Sequence, residues 1–276
     1  MDLGKLYDNR AAVPEYPAIV AGWLRDADLF RSRARGECDV AYGARPRNRL
    51  DLFHPRTDRG GPLILFIHGG YWRSFDKSSF SHMARGALAH GFSVAVPSYS
   101  LCPEVGVLDI IDELRQCCLF LRERCGRPLI VAGHSAGGHL AACMAATDWP
   151  AHRQPRGLVQ AVFAVSGLFD LRPLLATPLN GDLRLSPAEA AAASPLLWPV
   201  PQSFAVEAWV GAAETTEFLR QSASLVAAWK GIGLDANYAE VPGTNHFTIV
   251  SELAGPETAM TQRLVALALS VTADVI

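Results

Sequence analysis

Leu129-Ile-Val-Ala-Gly133-His-Ser135-Ala-Gly137-Gly-His-Leu140 decides how this chain reads. Leu129 to Ala132 is a short apolar run, as expected for a buried strand. Gly133-His-Ser135-Ala-Gly137 follows without a break. Leu140, Ala141, Ala142, Met144 and Ala145 then read as a buried helix. A serine in a strand–turn–helix G-x-S-x-G sits on a sharp, strained turn, with its hydroxyl exposed at the strand end. Larger residues than Gly133 and Gly137 would clash across that turn. The following helix aims free N–H groups and its positive dipole end at the hydroxyl. Ser135 is the expected nucleophile. A plain Gly-Ser loop ending a strand is the alternative, and the flanking strand and helix weigh against it.

A serine hydroxyl is a weak nucleophile and needs a base, which in turn needs an orienting acid. After this motif the chain order is serine, then Asp or Glu, then His. Two histidines follow Ser135 beyond its own helix, His152 and His246. His152 lies in a polar, Pro-flanked loop. His246 lies just past the last expected strand, in Pro242-Gly-Thr-Asn-His-Phe247, and is the expected base. Glu214 follows the strand expected at Ala205 to Val210 and is the expected acid, with Asp170 and Glu217 as competitors. Two convergent N–H donors are needed for the oxyanion. One is expected from Ala136, the other from Gly69 or Gly70 in His68-Gly-Gly-Tyr-Trp72, directly after the apolar run Leu63 to Ile67. His68 itself is expected to bond the loop backbone, and His134, His139 and His82 to be structural. Tyr71, Trp72, Phe75, Trp198 and Phe247 are candidate walls of an aromatic substrate pocket.

Outward from these motifs, apolar strands alternate with amphipathic helices, which implies a mostly parallel sheet covered on both faces. The expected strands are Cys38 to Tyr42, Arg49 to Phe53, Leu63 to Ile67, Ser93 to Val96, Leu129 to Ala132, Ala161 to Val165, Ala205 to Val210 and Tyr238 to Val241. Residues 1 to about 36 are expected to be helical in pieces, with Pro14 and Pro17 as breaks, and Asp76 to cap a helix running to about His90. From Ser166 to about Gln202 the alternation stops. That stretch holds Pro173, Pro178, Pro187, Pro195, Pro199 and Pro201 and one short Ala-rich helix near 188–193. It is expected to be a lid or pocket wall.

With 276 residues, half of them hydrophobic, one domain over 1–276 is expected. A net charge of -2 without a basic stripe argues against nucleic acid or an acidic membrane as partner. No run is long enough to span a bilayer. The first ten residues lack the apolar core of a secretion signal. The six cysteines form no C-x-x-C pair and suit the core of a reduced, cytoplasmic protein. No set of side chains has metal-ligand spacing, so neither metal nor cofactor is expected. A homodimer stays open.

His68-Gly-Gly, Tyr99 with Pro103-Glu104, and Gly133-His-Ser-Ala-Gly-Gly138 together resemble the hormone-sensitive-lipase-like branch of the α/β-hydrolases. More narrowly, His68-Gly-Gly-Tyr-Trp72, Gly133 to Leu140, Glu217-Phe-Leu-Arg-Gln-Ser222, Asn245-His-Phe247 and the opening Tyr7-Asp-Asn-Arg10 resemble kynurenine formamidases (arylformamidases). Two departures stand out. Tyr71 replaces the third glycine of the lipase-type loop, as in the formamidase branch, and Glu214 stands where that branch usually has Asp. The resemblance implies an α/β-hydrolase fold with an eight-stranded sheet. It also implies a serine hydrolase cleaving an aryl formamide such as N-formylkynurenine through an acyl-serine. A short-chain or aryl carboxylesterase is the alternative, and a non-catalytic binding protein on the same fold is a third reading.

Overall fold

The protein is described by a computed structural model covering residues 2–200 and 203–273. Pro201 and Gln202, which end the expected insertion, lie outside the described residues. Eight strands form one sheet: β1 (Gly36–Ala41), β2 (Arg49–Phe53), β3 (Leu63–Ile67), β4 (Val94–Pro97), β5 (Leu129–His134), β6 (Val159–Val165), β7 (Ala205–Gly211) and β8 (Ala236–Val241), in the order β1-β2-β4-β3-β5-β6-β7-β8. β2 pairs antiparallel with both its neighbours, and every pairing from β4 to β8 is parallel. This is the α/β-hydrolase architecture.

The apolar runs are continuous because the central strands are buried on both faces. All five residues of β3 are buried. Leu63, Leu65, Ile67, Leu129 and Val131 pack into one layer with the helices Val107–Cys125, Ala136–Ala146 and Thr216–Gly231. Ile64, Phe66, Ile130 and Ala132 pack into the other, with Tyr16–Arg31 and Ala259–Ala273. Each fully buried Val, Leu, Ile or Phe side chain among these contributes roughly 1.5–3 kcal/mol. The in-register pairing Ile67↔Gly133 sets the end of β3 beside the end of β5, so the loop after Ile67 and the turn at Ser135 meet at one sheet edge.

Three local expectations are corrected. Pro17 does not break the N-terminal segment; it lies in the first turn of Tyr16–Arg31, where a missing N–H costs nothing. Asp76 does cap, accepting from Ser78 N at 2.8 Å, but the chain then makes two 3₁₀ turns before the short helix Arg85–Ala89. Ser78, Ser79 and Ser81 are poor helix formers, and Ser81 Oγ donates to the Lys77 carbonyl at 3.2 Å. The stretch after Ser166 folds as four short helical pieces, Arg172–Ala176, Asn180–Leu183, Pro187–Ala192 and Pro195–Leu197, where one was expected. All six cysteines are unpaired, and four are buried. Among the described residues no helix is long and apolar enough to cross a membrane.

Candidate active site

Ser135 links β5 to the helix Ala136–Ala146 with φ 57° and ψ −120°, a region that non-glycine residues rarely occupy. Its N–H donates to Val165 O at 2.8 Å. The turn is as tight as its glycines suggest. A Cβ on Gly133 would lie 2.1 Å from the Gly137 carbonyl oxygen, and one on Gly137 would lie 2.0 Å from that of Ile67.

Ser135 Oγ donates to His246 Nε2 at 3.0 Å, and His246 Nδ1 meets Glu214 Oε2 at 2.7 Å. The imidazole is 5 % exposed and the Glu214 side chain 0 %. Buried without partners, that carboxylate would be costly. Its other oxygen, Oε1, accepts from Ser166 Oγ at 2.5 Å and from Gly211 N at 2.8 Å. The extra methylene of glutamate is thus accommodated by Ser166, just after β6, and Gly211, at the end of β7, which together grip the far oxygen. Asp170 is engaged elsewhere, in a two-pronged pair with Arg172. Glu217 accepts from Tyr7 Oη at 2.7 Å and pairs with Arg220. His152 lies on the separate turn Trp149–His152 and makes no contact with Ser135.

The loop bearing His246 is fixed from three sides. Asn245 Oδ1 accepts from the N–H groups of Phe247 and Thr248, both at 3.0 Å. His134 Nε2 donates to the His246 carbonyl at 2.8 Å. The Phe218 ring lies 4.6 Å from the imidazole, centroid to centroid. Burial, with His246 adjacent, drives the His134 pKa well below its usual value, so this ring is a neutral donor.

Gly69 is pressed against the serine: a Cβ there would lie 2.8 Å from the His134 carbonyl and 3.0 Å from Ser135 Cβ. Gly70 has φ +114° and lines the cavity over Ser135. None of the backbone hydrogen bonds among the described residues uses the N–H of Gly69, Gly70 or Ala136. His68 donates from Nδ1 to the Gly69 carbonyl at 2.7 Å and stacks on Tyr99, as a loop-bracing residue does.

The cavity above Ser135 has a volume of roughly 190 Å³. Tyr71, Phe75 and Phe247 line it; two other expected aromatics do not. Trp72, at φ 55°, turns its indole fully into the core, where Nε1 donates to His139 Nδ1 at 3.3 Å. Trp198 lies in a separate surface depression with Val200 and Leu234. Its Nε1 donates to the Ala192 carbonyl at 2.8 Å and its ring faces Arg115. The insertion reaches the cavity through Pro178 and Leu179 instead.

Missing from the sequence reading is the N-terminal segment, which straps across the cavity and contributes Tyr7, Asn9 and Tyr16 to its wall. Tyr71 Oη donates to the Tyr7 carbonyl at 2.6 Å, and Thr215 Oγ1 donates to that of Leu6, also at 2.6 Å. Gln221 Nε2 donates to Tyr7 Oη at 3.1 Å. The motif Tyr7-Asp-Asn-Arg10 was the only signal for this strap. Ser166 belongs to no motif, and its place directly after β6 is the one signal the sequence carries for it. Among the described residues no group of three or more His, Cys, Asp or Glu is placed to hold a metal ion.

The BD-FAE family model matches residues 50–188. Kynurenine formamidase of Salmo salar is 30 % identical over 247 residues, 84 % of this chain and 83 % of that one. The chain belongs to the kynurenine formamidase family. The kynurenine formamidase of Danio rerio is 29 % identical and covers 90 % of this chain and 87 % of its own. A crystal structure from Silicibacter sp. TM1040, provisionally described as a thioesterase, has 37 % identity and a TM-score of 0.86 and covers 98 % of this chain and 99 % of its own. Esterase B of Lactobacillus rhamnosis has 17 % identity, covers 97 % of each chain at a TM-score of 0.71, and shares the fold. With these relatives, this member of the kynurenine formamidase family is a hydrolase.

Proposed function

We propose that the protein hydrolyses aryl formamides of the N-formylkynurenine type through an acyl-Ser135 intermediate. The observation that carries this is the buried line Ser135–His246–Glu214 under an aromatic cavity, in a chain whose relatives are kynurenine formamidases. Ser135 Oγ attacks the formyl carbon while His246 Nε2 takes its proton. The oxyanion is received by N–H groups of Gly69, Gly70 and Ala136. His246 returns the proton to the aniline nitrogen as the C–N bond breaks. Water, deprotonated by the same imidazole, then releases formate and restores Ser135. Glu214 keeps the proton on Nδ1 and stabilises the imidazolium. An aryl amine leaves more readily than an alkyl amine because the ring shares its lone pair.

The second reading is a short-chain or aryl carboxylesterase. It is favoured by the esterase relatives, among them a methylesterase of Oryza sativa that is 29 % identical over 57 % of this chain. From the 166–202 stretch Pro178 and Leu179 serve as pocket wall, within one catalytic unit that spans the chain and works in the cytoplasm on small molecules without nucleic acid. Comparing kcat/KM for N-formylkynurenine with p-nitrophenyl acetate and butyrate tests the choice. A preference for the formamide supports the first reading, and esters alone being turned over overturns it.

A further inference from the structure

Among the described residues three charged side chains line the cavity, and two are already engaged. Arg73 is paired with Asp182. Asp8 accepts from Ala11 N at 3.0 Å and so caps the short helix Asn9–Ala12. Arg10, the third, makes no ion pair or hydrogen bond with any described residue. Its guanidinium lies over the Tyr16 ring, 5.0 Å from the centroid. Tyr16 in turn packs on Phe247 at 4.6 Å, and Phe247 lies edge-on to His246 at 5.3 Å. A ladder of rings therefore runs from the reacting imidazole to an uncompensated cation at the cavity rim. The strap that holds Arg10 there is itself tied down through Tyr7, Tyr71 and Thr215.

We propose that Arg10 is a specificity-determining residue: its guanidinium binds a carboxylate on the substrate whose aryl ring lies along Tyr16 and Phe247. The cation–π contact with Tyr16 occupies none of the guanidinium N–H donors in a hydrogen bond with a described residue, so they stay available for a two-pronged carboxylate contact. The inference rests on the acyl-transfer reading of Ser135 and adds to it the charge of the preferred substrate.

The test compares N-formylkynurenine with its near-isosteric carboxamide, which lacks the carboxylate charge, and repeats the comparison with 4-acetoxybenzoate and 4-acetoxybenzamide, which carry no α-ammonium. Because the pair is at the rim, wild type should favour the carboxylate by roughly five- to thirtyfold in kcat/KM, mainly through KM. The ratio should shrink with added salt. Arg10→Gln should bring it close to one, and Arg10→Lys should restore part of it. Equal turnover of both members by wild type in both series, or a ratio untouched by Arg10→Gln, overturns the proposal. Failure on both formamides with a carboxylate preference kept among the esters overturns the formamidase reading alone.

Discussion

Acidification should unfold this protein early, and its buried histidines give the size of the effect. His68 and His139 are 0 % exposed, and burial lowers each pKa to about 4. The His139 site also depends on the neutral ring, since Nε2 donates to the Ala193 carbonyl while Nδ1 accepts from Trp72. An unfolded histidine titrates near 6.5. Between those values the unfolded chain takes up protons that the native state refuses. Stability is therefore full above about pH 7 and is lost as pH falls through 6.5 toward 4. From pH 7 to 5 each such histidine removes about 2 kcal/mol, and the two together about 4. His82 and His134, also lowered by burial, act in the same direction. A typical domain has only about 5–15 kcal/mol in hand. Urea unfolding at pH 7, 6 and 5 reads the loss directly, and His139→Gln should flatten the slope near pH 5.5 by about 1 kcal/mol per pH unit. Equal stability at pH 7 and 5 would refute the argument.

Three further outcomes are expected. Glu214→Gln should lower kcat by roughly 10² to 10⁴ with little change in KM, because the amide loses the charge and can hold the wrong tautomer; Asp170→Asn, measured on the same ester, should leave kcat within a few-fold. Trp72→Ala should cost about 3–5 kcal/mol by melting or urea titration, whereas Trp198→Ala should leave the ratio of aryl to small-alkyl efficiencies unchanged. Prolonged incubation with a chelator should leave kcat/KM as it was, and a loss restored by zinc would contradict the proposed chemistry.

What the sequence discloses here is local. The G-x-S-x-G turn, the fully buried β3 and the Gly-Gly loop after it each carry their pattern within about ten residues. Chain order then singles out His246 from two histidines. Glu214 could only be ranked by position against Asp170 and Glu217; its separation from them lies in Ser166 and Gly211, which grip Oε1. Trp72 and Trp198 misled for a physical reason. Adjacency to a site says nothing about which way a side chain points, and the positive φ at Trp72 turns it into the core. The strap is the largest omission. Tyr7 meets Glu217 across 210 positions of sequence, and no local periodicity encodes such a contact.

The central claim is that Ser135 is the nucleophile, and a fluorophosphonate probe tests it most directly. Peptide mapping after labelling should place one phosphonate on Ser135, with activity lost in proportion. Ser135→Ala should neither label nor turn over substrate while keeping its melting temperature. A label on another residue, or an Ala variant that retains near-normal kcat, would contradict the account.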